Sequence, residues 1–136
     1  MHMSASIHSA FNQHDVIVQT NGATKELTIS TKASGFGSAI NGGELLLLSL
    51  ATCFCNDIYR EASKRNIVVE GVDVTVSGEF GADGEPGFNF TYQARVKSDA
   101  PAAEIDALIQ HTDQIAEVHN TLRNGLSIRL DPAPLR

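Results

Sequence analysis

The chain has 136 residues, of which 42% are hydrophobic, with a formal net charge of −6 and a pI near 5.2. That length suits one domain with one core and no covalent staples, and ten Lys and Arg residues scattered through an acidic chain do not make a nucleic-acid surface, which needs clustered cations to neutralise phosphates. The longest apolar run, Leu45 to Phe54, is about half of the roughly 20 residues that a membrane span requires, and Asn56 and Asp57 follow it, so it belongs in a protein core and no membrane is implied.

Residues 1–14 are polar, contain three histidines and are expected to form a loose N-terminal arm. They carry neither a basic n-region nor an apolar h-region, so the expected location is the cytoplasm. Val16-Ile17-Val18 and Leu27-Thr28-Ile29 are short strand-like runs on either side of Thr20-Asn21-Gly22, and Asn-Gly is a strong hairpin signal. The loop from Ala33 to Ser38 then leads into the next element. Its glycines lack phosphate-loop spacing and no Lys-Ser/Thr pair follows, so no nucleotide cofactor is expected.

Asn41 to Asn66 predicts the central helix. Asn41 and Glu44 have the spacing of a capping box, Lys64 and Arg65 suit the negative end of the helix dipole, and Asn66 can adopt the left-handed stop. Past the helix, Val72, Val74 and Val76 alternate with polar residues, as do Phe88, Phe90, Tyr92, Ala94 and Val96, and the turn-rich Gly81–Gly87 segment joins them into an antiparallel hairpin. Pro101 opens an amphipathic helix whose stripe is Ile105, Leu108, Ile109, Thr112, Ile115 and Ala116. A short helical turn over Val118–Arg123 ends at Asn124-Gly125, and Leu126-Ser127-Ile128-Arg129-Leu130 alternates like a last strand. The predicted order is ββαββαβ, which makes the class α+β in a single domain, 1–136.

A helix over residues 44–65 is roughly 33 Å long, about the width of a small domain, and its first half is apolar all round. The remaining elements are too few to cover it. A second copy of the chain would do so, with the two long helices packed together in a homodimer.

Both cysteines, Cys53 and Cys55, lie in this helix, so thiol chemistry falls there or nowhere. Two positions apart on a helix, they point to different sides and cannot form a disulfide without unwinding it. In an apolar helix interior a thiol becomes inert, which is the plain reading of Cys55. Glu44 reads first as a cap, and His119 as a core or solvated histidine that could instead serve as a base or ligand contact. His111, Asp113 and His119 lack a recognised metal-ligand spacing, so no metal is expected.

The ordered pattern Glu44-Leu45-Leu46, Cys53, Lys64-Arg65 and Val69-Glu70-Gly71-Val72-Asp73-Val74-Thr75-Val76-Ser77-Gly78-Glu79, followed by Val118-His119-Asn120-Thr121-Leu122, resembles the OsmC/Ohr family over roughly residues 25–130. The resemblance implies an intertwined homodimer in which two long central helices are wrapped by sheets. It also implies reduction of organic hydroperoxides, as an oxidative-stress defence, by a reactive Cys on that helix. Family peroxidases add a resolving Cys in a later Cys-Pro-Val motif, an upstream Arg and a Glu near the helix start. Cys53 matches the reactive position. Ala116 stands at the resolving position, Gly43 at the position of the Glu with Glu44 beside it, and no Arg precedes Arg60; Lys25 or Lys32 would substitute only as point charges.

Two functions follow from these residues. One is a thiol-dependent peroxidase of one-Cys type, with Cys53 as nucleophile, Glu44, Cys55 and His119 as candidate supporting residues, a small hydroperoxide as substrate and a thiol reductant of unknown identity. The other is a non-catalytic member of the fold that binds a small apolar ligand or a partner at the dimer pocket.

Overall fold

The computed structural model describes residues 1–132 as two compact units, Met1–Leu45 and Leu46 onward. The first unit is a three-stranded antiparallel sheet of β1 (Met3–Ala10), β2 (Gln13–Thr20) and β3 (Ala23–Glu26), in that order. Residues 1–14, expected as a loose arm, therefore contain a strand. Met3 pairs with Thr20 and Ala10 with Gln13, and Asn12 closes the tight turn at a left-handed φ of 55°. Backbone hydrogen bonds rather than buried side chains hold this strand, since most of it is exposed. The predicted Asn21-Gly22 turn is present, with both residues at positive φ (48° and 86°). A two-residue turn fixes the register at Thr20 against Ala23, so the second strand starts at once as β3 and is over before Leu27-Thr28-Ile29, where it was expected.

The long helix α1 (Gly42–Lys64) forms where the sequence places it. The capping box closes both ways: the Asn41 N–H donates to Glu44 Oε1 at 3.0 Å, and the Glu44 N–H to Asn41 Oδ1 at 2.8 Å. At the far end Asn66 takes φ 55° and the Ile67 N–H reaches back to the Ala62 carbonyl at 2.9 Å, which ends the helix.

In the second unit, β4 (Gly71–Glu79) and β5 (Phe88–Lys97) form the expected antiparallel hairpin, in register from Gly71 opposite Lys97 to Ser77 opposite Thr91. A bulge follows Ser77, at Gly78, where a Cβ would run into the Phe90 ring. Helix α2 (Ala102–Ile115) starts after Pro101 and buries Leu108 and Thr112 of its predicted stripe, and Ala116 just past its end. Helix α3 (Glu117–Asn124) closes on Gly125, at φ 68°. Phe54, Ile58, Ala62 and Leu108 form the core, against which Val72, Val74, Tyr92, Ala94 and Val96 of the hairpin pack. Strand alternation and the helix stripe thus meet on one apolar seam.

The class is α+β as expected, but the order among the described residues is βββαββαα. The predicted last strand, Leu126–Leu130, is no strand: it lies outside every ladder, with Ile128 and Leu130 94% and 96% exposed. Alternation makes a strand only where an edge is available to pair with. Leu48 of α1 is also 57% exposed, so the apolar first half of the helix is not covered on every side.

Candidate active site

Cys53 lies on α1, half-buried, and Asp57 follows it by one helical turn. The thiol donates to Asp57 Oδ2 at 3.6 Å and, from the start of α3, to Glu117 Oε2 at 3.8 Å. The other oxygen of each carboxylate belongs to Arg60, whose Nη1 is 3.0 Å from Asp57 Oδ1 and 3.4 Å from Glu117 Oε1. Each carboxylate therefore bridges sulfur and guanidinium. Arg60 Nε also donates to Glu61 Oε2 at 2.9 Å, and Lys64 and His111 contact the same buried carboxylate at 2.9 Å each. Those hydrogen bonds, from Lys64 first and then Arg60 and His111, hold the Glu61 carboxyl down at about 2.

The electrostatics at the sulfur run one way. Burial pushes the Cys53 thiol up from its ordinary value of 9.0, the Val118 backbone N–H opposes it, and the Asp57 and Glu117 charges add to the rise. The thiol is the resting form at neutral pH. Burial and then the bond to Glu117 push Asp57 up, whereas Glu117 is pulled down by its own backbone N–H and by its bonds to Asp57 and Arg60. Glu117 is the more acidic of the two carboxyls that face the thiol.

The other candidate residues lie elsewhere. Glu44 is occupied by the capping box. Cys55 is on a different side of α1, beside Thr52, Asn56 and the hairpin residues Val72 and Val74, and both cysteines are free thiols. His119, on α3, is only 4% exposed, and neither ring nitrogen has a hydrogen-bond partner among the described residues. Its ring centroid is 4.7 Å from that of Tyr92 and 5.9 Å from that of Phe54. Burial pushes the imidazole down from 6.5, with the Arg123 charge adding to the fall, so it is neutral. It lines a cavity of about 370 Å³ together with Leu50, Phe90, Thr91, Tyr92, Leu122 and Arg123.

The three residues that surround the thiol, Asp57, Arg60 and Glu117, were not among the sequence candidates. Two had a readable signal: Asp57 is four residues past Cys53 and Arg60 three past Asp57, both neighbour spacings on a helix. Glu117 had none, because its place depends on how α3 meets α1. Cys53, Asp57 and Glu117 hold donor atoms within 4.8 Å of one another, a set of one soft and two hard ligands, but Arg60 already supplies the cation there. His111, Asp113 and His119 do not converge: His111 bonds Glu61, and Asp113 accepts from Tyr92 and, at 2.6 Å, from Arg123.

The family model for OsmC-like protein matches residues 35–131. The solved structure of an OsmC-like protein from Mycoplasma pneumoniae is 21% identical and covers 88% of this chain and 87% of its own, with a TM-score of 0.60. An organic hydroperoxide resistance protein OsmC from Legionella pneumophila is 25% identical over 90% of each chain, with a TM-score of 0.59. The organic hydroperoxide resistance protein OhrB of Bacillus subtilis is 13% identical and covers 88% of this chain and 89% of its own, with a TM-score of 0.53. No curated protein sequence matches the chain.

Proposed function

As the chain belongs to the OsmC-like protein family, we propose that it acts in oxidative-stress defence by reducing organic hydroperoxides as a one-Cys thiol peroxidase, with Cys53 as nucleophile. The observation that carries this is the Cys53 thiol bonded to two carboxylates that share Arg60. Family peroxidases place a carboxylate and a guanidinium beside the cysteine; here Glu117, Asp57 and Arg60 supply those groups from other positions. The Legionella and Bacillus proteins, named for hydroperoxide resistance, lend the substrate class.

In this mechanism Glu117 accepts the thiol proton, and the sulfur attacks the peroxide oxygen remote from the organic group. The O–O bond breaks, the alkoxide takes a proton and leaves as the alcohol, and Cys53 is left as a sulfenic acid. Ala116 is fully buried where a resolving thiol would stand, so reduction falls to an external thiol. One equivalent forms a mixed disulfide and releases water, and a second displaces Cys53 as thiol and leaves as the external disulfide. The working form is a cytoplasmic homodimer, with the exposed Leu48 and the Leu126, Ile128, Leu130 row as the apolar surface to be covered.

Dilute hydroperoxide with a sulfenate trap, read by intact mass, tests the reading. An adduct that forms at neutral pH in wild type and in Cys55→Ser, and disappears in Cys53→Ser, supports it. If neither thiol reacts in the folded protein, the peroxidase reading fails. The second reading, a non-catalytic member that binds a small apolar ligand, then stands; it is favoured by the protonated resting state of Cys53 and by the cavity at His119.

A further inference from the structure

Glu61 is a carboxylate in a buried position of α1, between the core residues Ile58 and Ala62 and only 5% exposed. A charge taken out of water is costly unless its bonding sites are filled, and here both oxygens are. Oε1 pairs with His111 Nε2 of α2 at 2.9 Å, and Oε2 with Lys64 Nζ and Arg60 Nε at 2.9 Å each. Tying α2 to α1 through His111 uses one oxygen only. The other holds Arg60, although consecutive residues on a helix do not face each other. Arg60 reaches it by laying its side chain along its own helix, the course that also brings Nη1 to Asp57 three residues back.

A guanidinium is planar, so fixing Nε and Nη1 together fixes the whole fork. Nη1 lies 3.0 Å from Asp57 Oδ1 and 3.4 Å from Glu117 Oε1, and the other oxygens of those carboxylates accept from the Cys53 thiol. The Arg60 side chain is 41% exposed, and with its Nε unheld it would swing toward water. We propose that Glu61 is a positioning residue for Cys53: by holding Arg60 Nε, it keeps Nη1 on the two carboxylates that face the thiol. The proposal deepens the peroxidase reading and rests on it for the role of Cys53. Glu61 acts through Arg60 and not on the sulfur. Its charge is faced by Lys64 of α1 and His111 of α2, and that of Arg60 by Asp57 of α1 and Glu117 of α3. The Glu61 carboxyl, held down at about 2, stays ionised at every pH at which a thiol titrates.

The test is the pH midpoint of Cys53 alkylation by iodoacetamide in Glu61→Met, which keeps the length of the side chain and removes both acceptors. The direction of the shift decides. As a bare negative charge, Glu61 would raise the thiol pKa, so its loss would lower the midpoint or leave it unchanged. As the holder of Arg60, its loss should raise the midpoint by about 0.5 pH unit, roughly a threefold loss of thiolate at pH 7. In an Arg60→Met background Glu61→Met should add nothing, because no guanidinium is left to position. Should Glu61→Met lose its far-UV circular dichroism, Glu61→Gln carries the same test with a smaller expected rise, since its one carbonyl oxygen can still accept from Arg60 Nε. His111→Leu cuts the tie between α2 and α1 but leaves Arg60 its bond to Glu61, and should lower the urea midpoint without moving the Cys53 midpoint. The proposal is overturned if removing the Glu61 carboxylate lowers or does not move the Cys53 midpoint, or if it raises the midpoint further in the Arg60→Met background. It is also overturned if His111→Leu raises the midpoint as far as Glu61→Met does, which would make Glu61 a tie between helices and nothing more. A wild type that alkylates at Cys53 yet traps no sulfenate overturns the peroxidase reading alone, because the alkylation midpoints still decide this one.

Discussion

Helices α1 and α3 build two sites of opposite character. On one side Cys53, Asp57, Arg60 and Glu117 form a closed polar network, with an oxygen or nitrogen facing almost every charge. On the other, Leu50 of α1 and His119 and Leu122 of α3 border an apolar cavity, and the His119 imidazole has no hydrogen-bond partner among the described residues. Glu117 and His119 are two residues apart, and helical geometry turns them to different faces. The difference teaches how one pair of helices can carry a satisfied polar network on one face and an uncompensated polar group on another. The satisfied network fixes where protons rest, and the unpartnered imidazole carries a desolvation cost that apolar packing around it has to offset.

The sharpest break in that comparison is Cys53→Ser. It is expected to remove hydroperoxide-dependent sulfenate trapping completely while leaving the core around the cavity intact; intact mass and urea unfolding read the two sides separately. Next is Phe54→Ala, which should damage both. Phe54 is fully buried, belongs to the core cluster and touches the rings of Tyr92 and His119. Its loss should cost about 3–5 kcal/mol in urea unfolding and widen the cavity.

Substitutions in the polar network sharpen one side only. Arg60→Met leaves the Asp57 and Glu117 charges facing the sulfur without their cation, so the pH midpoint of Cys53 alkylation should rise and trapping at pH 7 slow several-fold. Asp57→Asn removes one of the charges that push the thiol up, so the midpoint should fall. Arg60→Lys should lie between wild type and Arg60→Met, because an ammonium restores charge but not the fork that holds two carboxylates at once. The check is the rate of iodoacetamide labelling against pH, read at Cys53 by peptide mass. If Arg60→Met and Asp57→Asn shift the midpoint in the same direction, the charge assignment is wrong.

The two sites were unequally legible in sequence, and so was the fold. Valine alternation over 72–76, the stripe over 105–116 and the Asn41–Glu44 and Asn66 caps are local signals, and each forms the element it announces. What failed depended on partners. Met3, Ala5 and Ile7 alternate with Ser4, Ser6 and His8, a period-two signal obscured by its polarity, and the strand exists because β2 offers it an edge. Leu126, Ile128 and Leu130 carry a stronger alternation and have no edge among the described residues. Cys53 stands out in sequence as a helical thiol, and Asp57 and Arg60 lie at helix-neighbour spacings from it. Glu117, 64 residues from Cys53, could not be read from any spacing. The orphaned state of His119 was equally hidden, since only the packed structure tells whether a histidine finds a partner.

The smallest expected effect concerns that histidine and the dependence of stability on pH. Burial holds the His119 pKa below 6.5 in the folded protein, whereas in the unfolded chain it returns to that value. Below 6.5 the unfolded chain therefore binds more protons at this site than the folded one does, and stability rises with pH there. The contribution is fully present above 6.5 and is lost as pH falls through the lowered folded value. His119→Phe removes the titration, so urea midpoints measured from pH 7.5 down to 5 should fall less steeply in the variant than in wild type. At neutral pH the same change replaces an unbonded polar ring by an apolar one of similar size and should raise stability by about 1 kcal/mol. A variant that is less stable at pH 7 and equally steep in pH would mean that His119 has a bonded partner in solution, and the contrast between a closed polar network and an open apolar cavity would no longer hold.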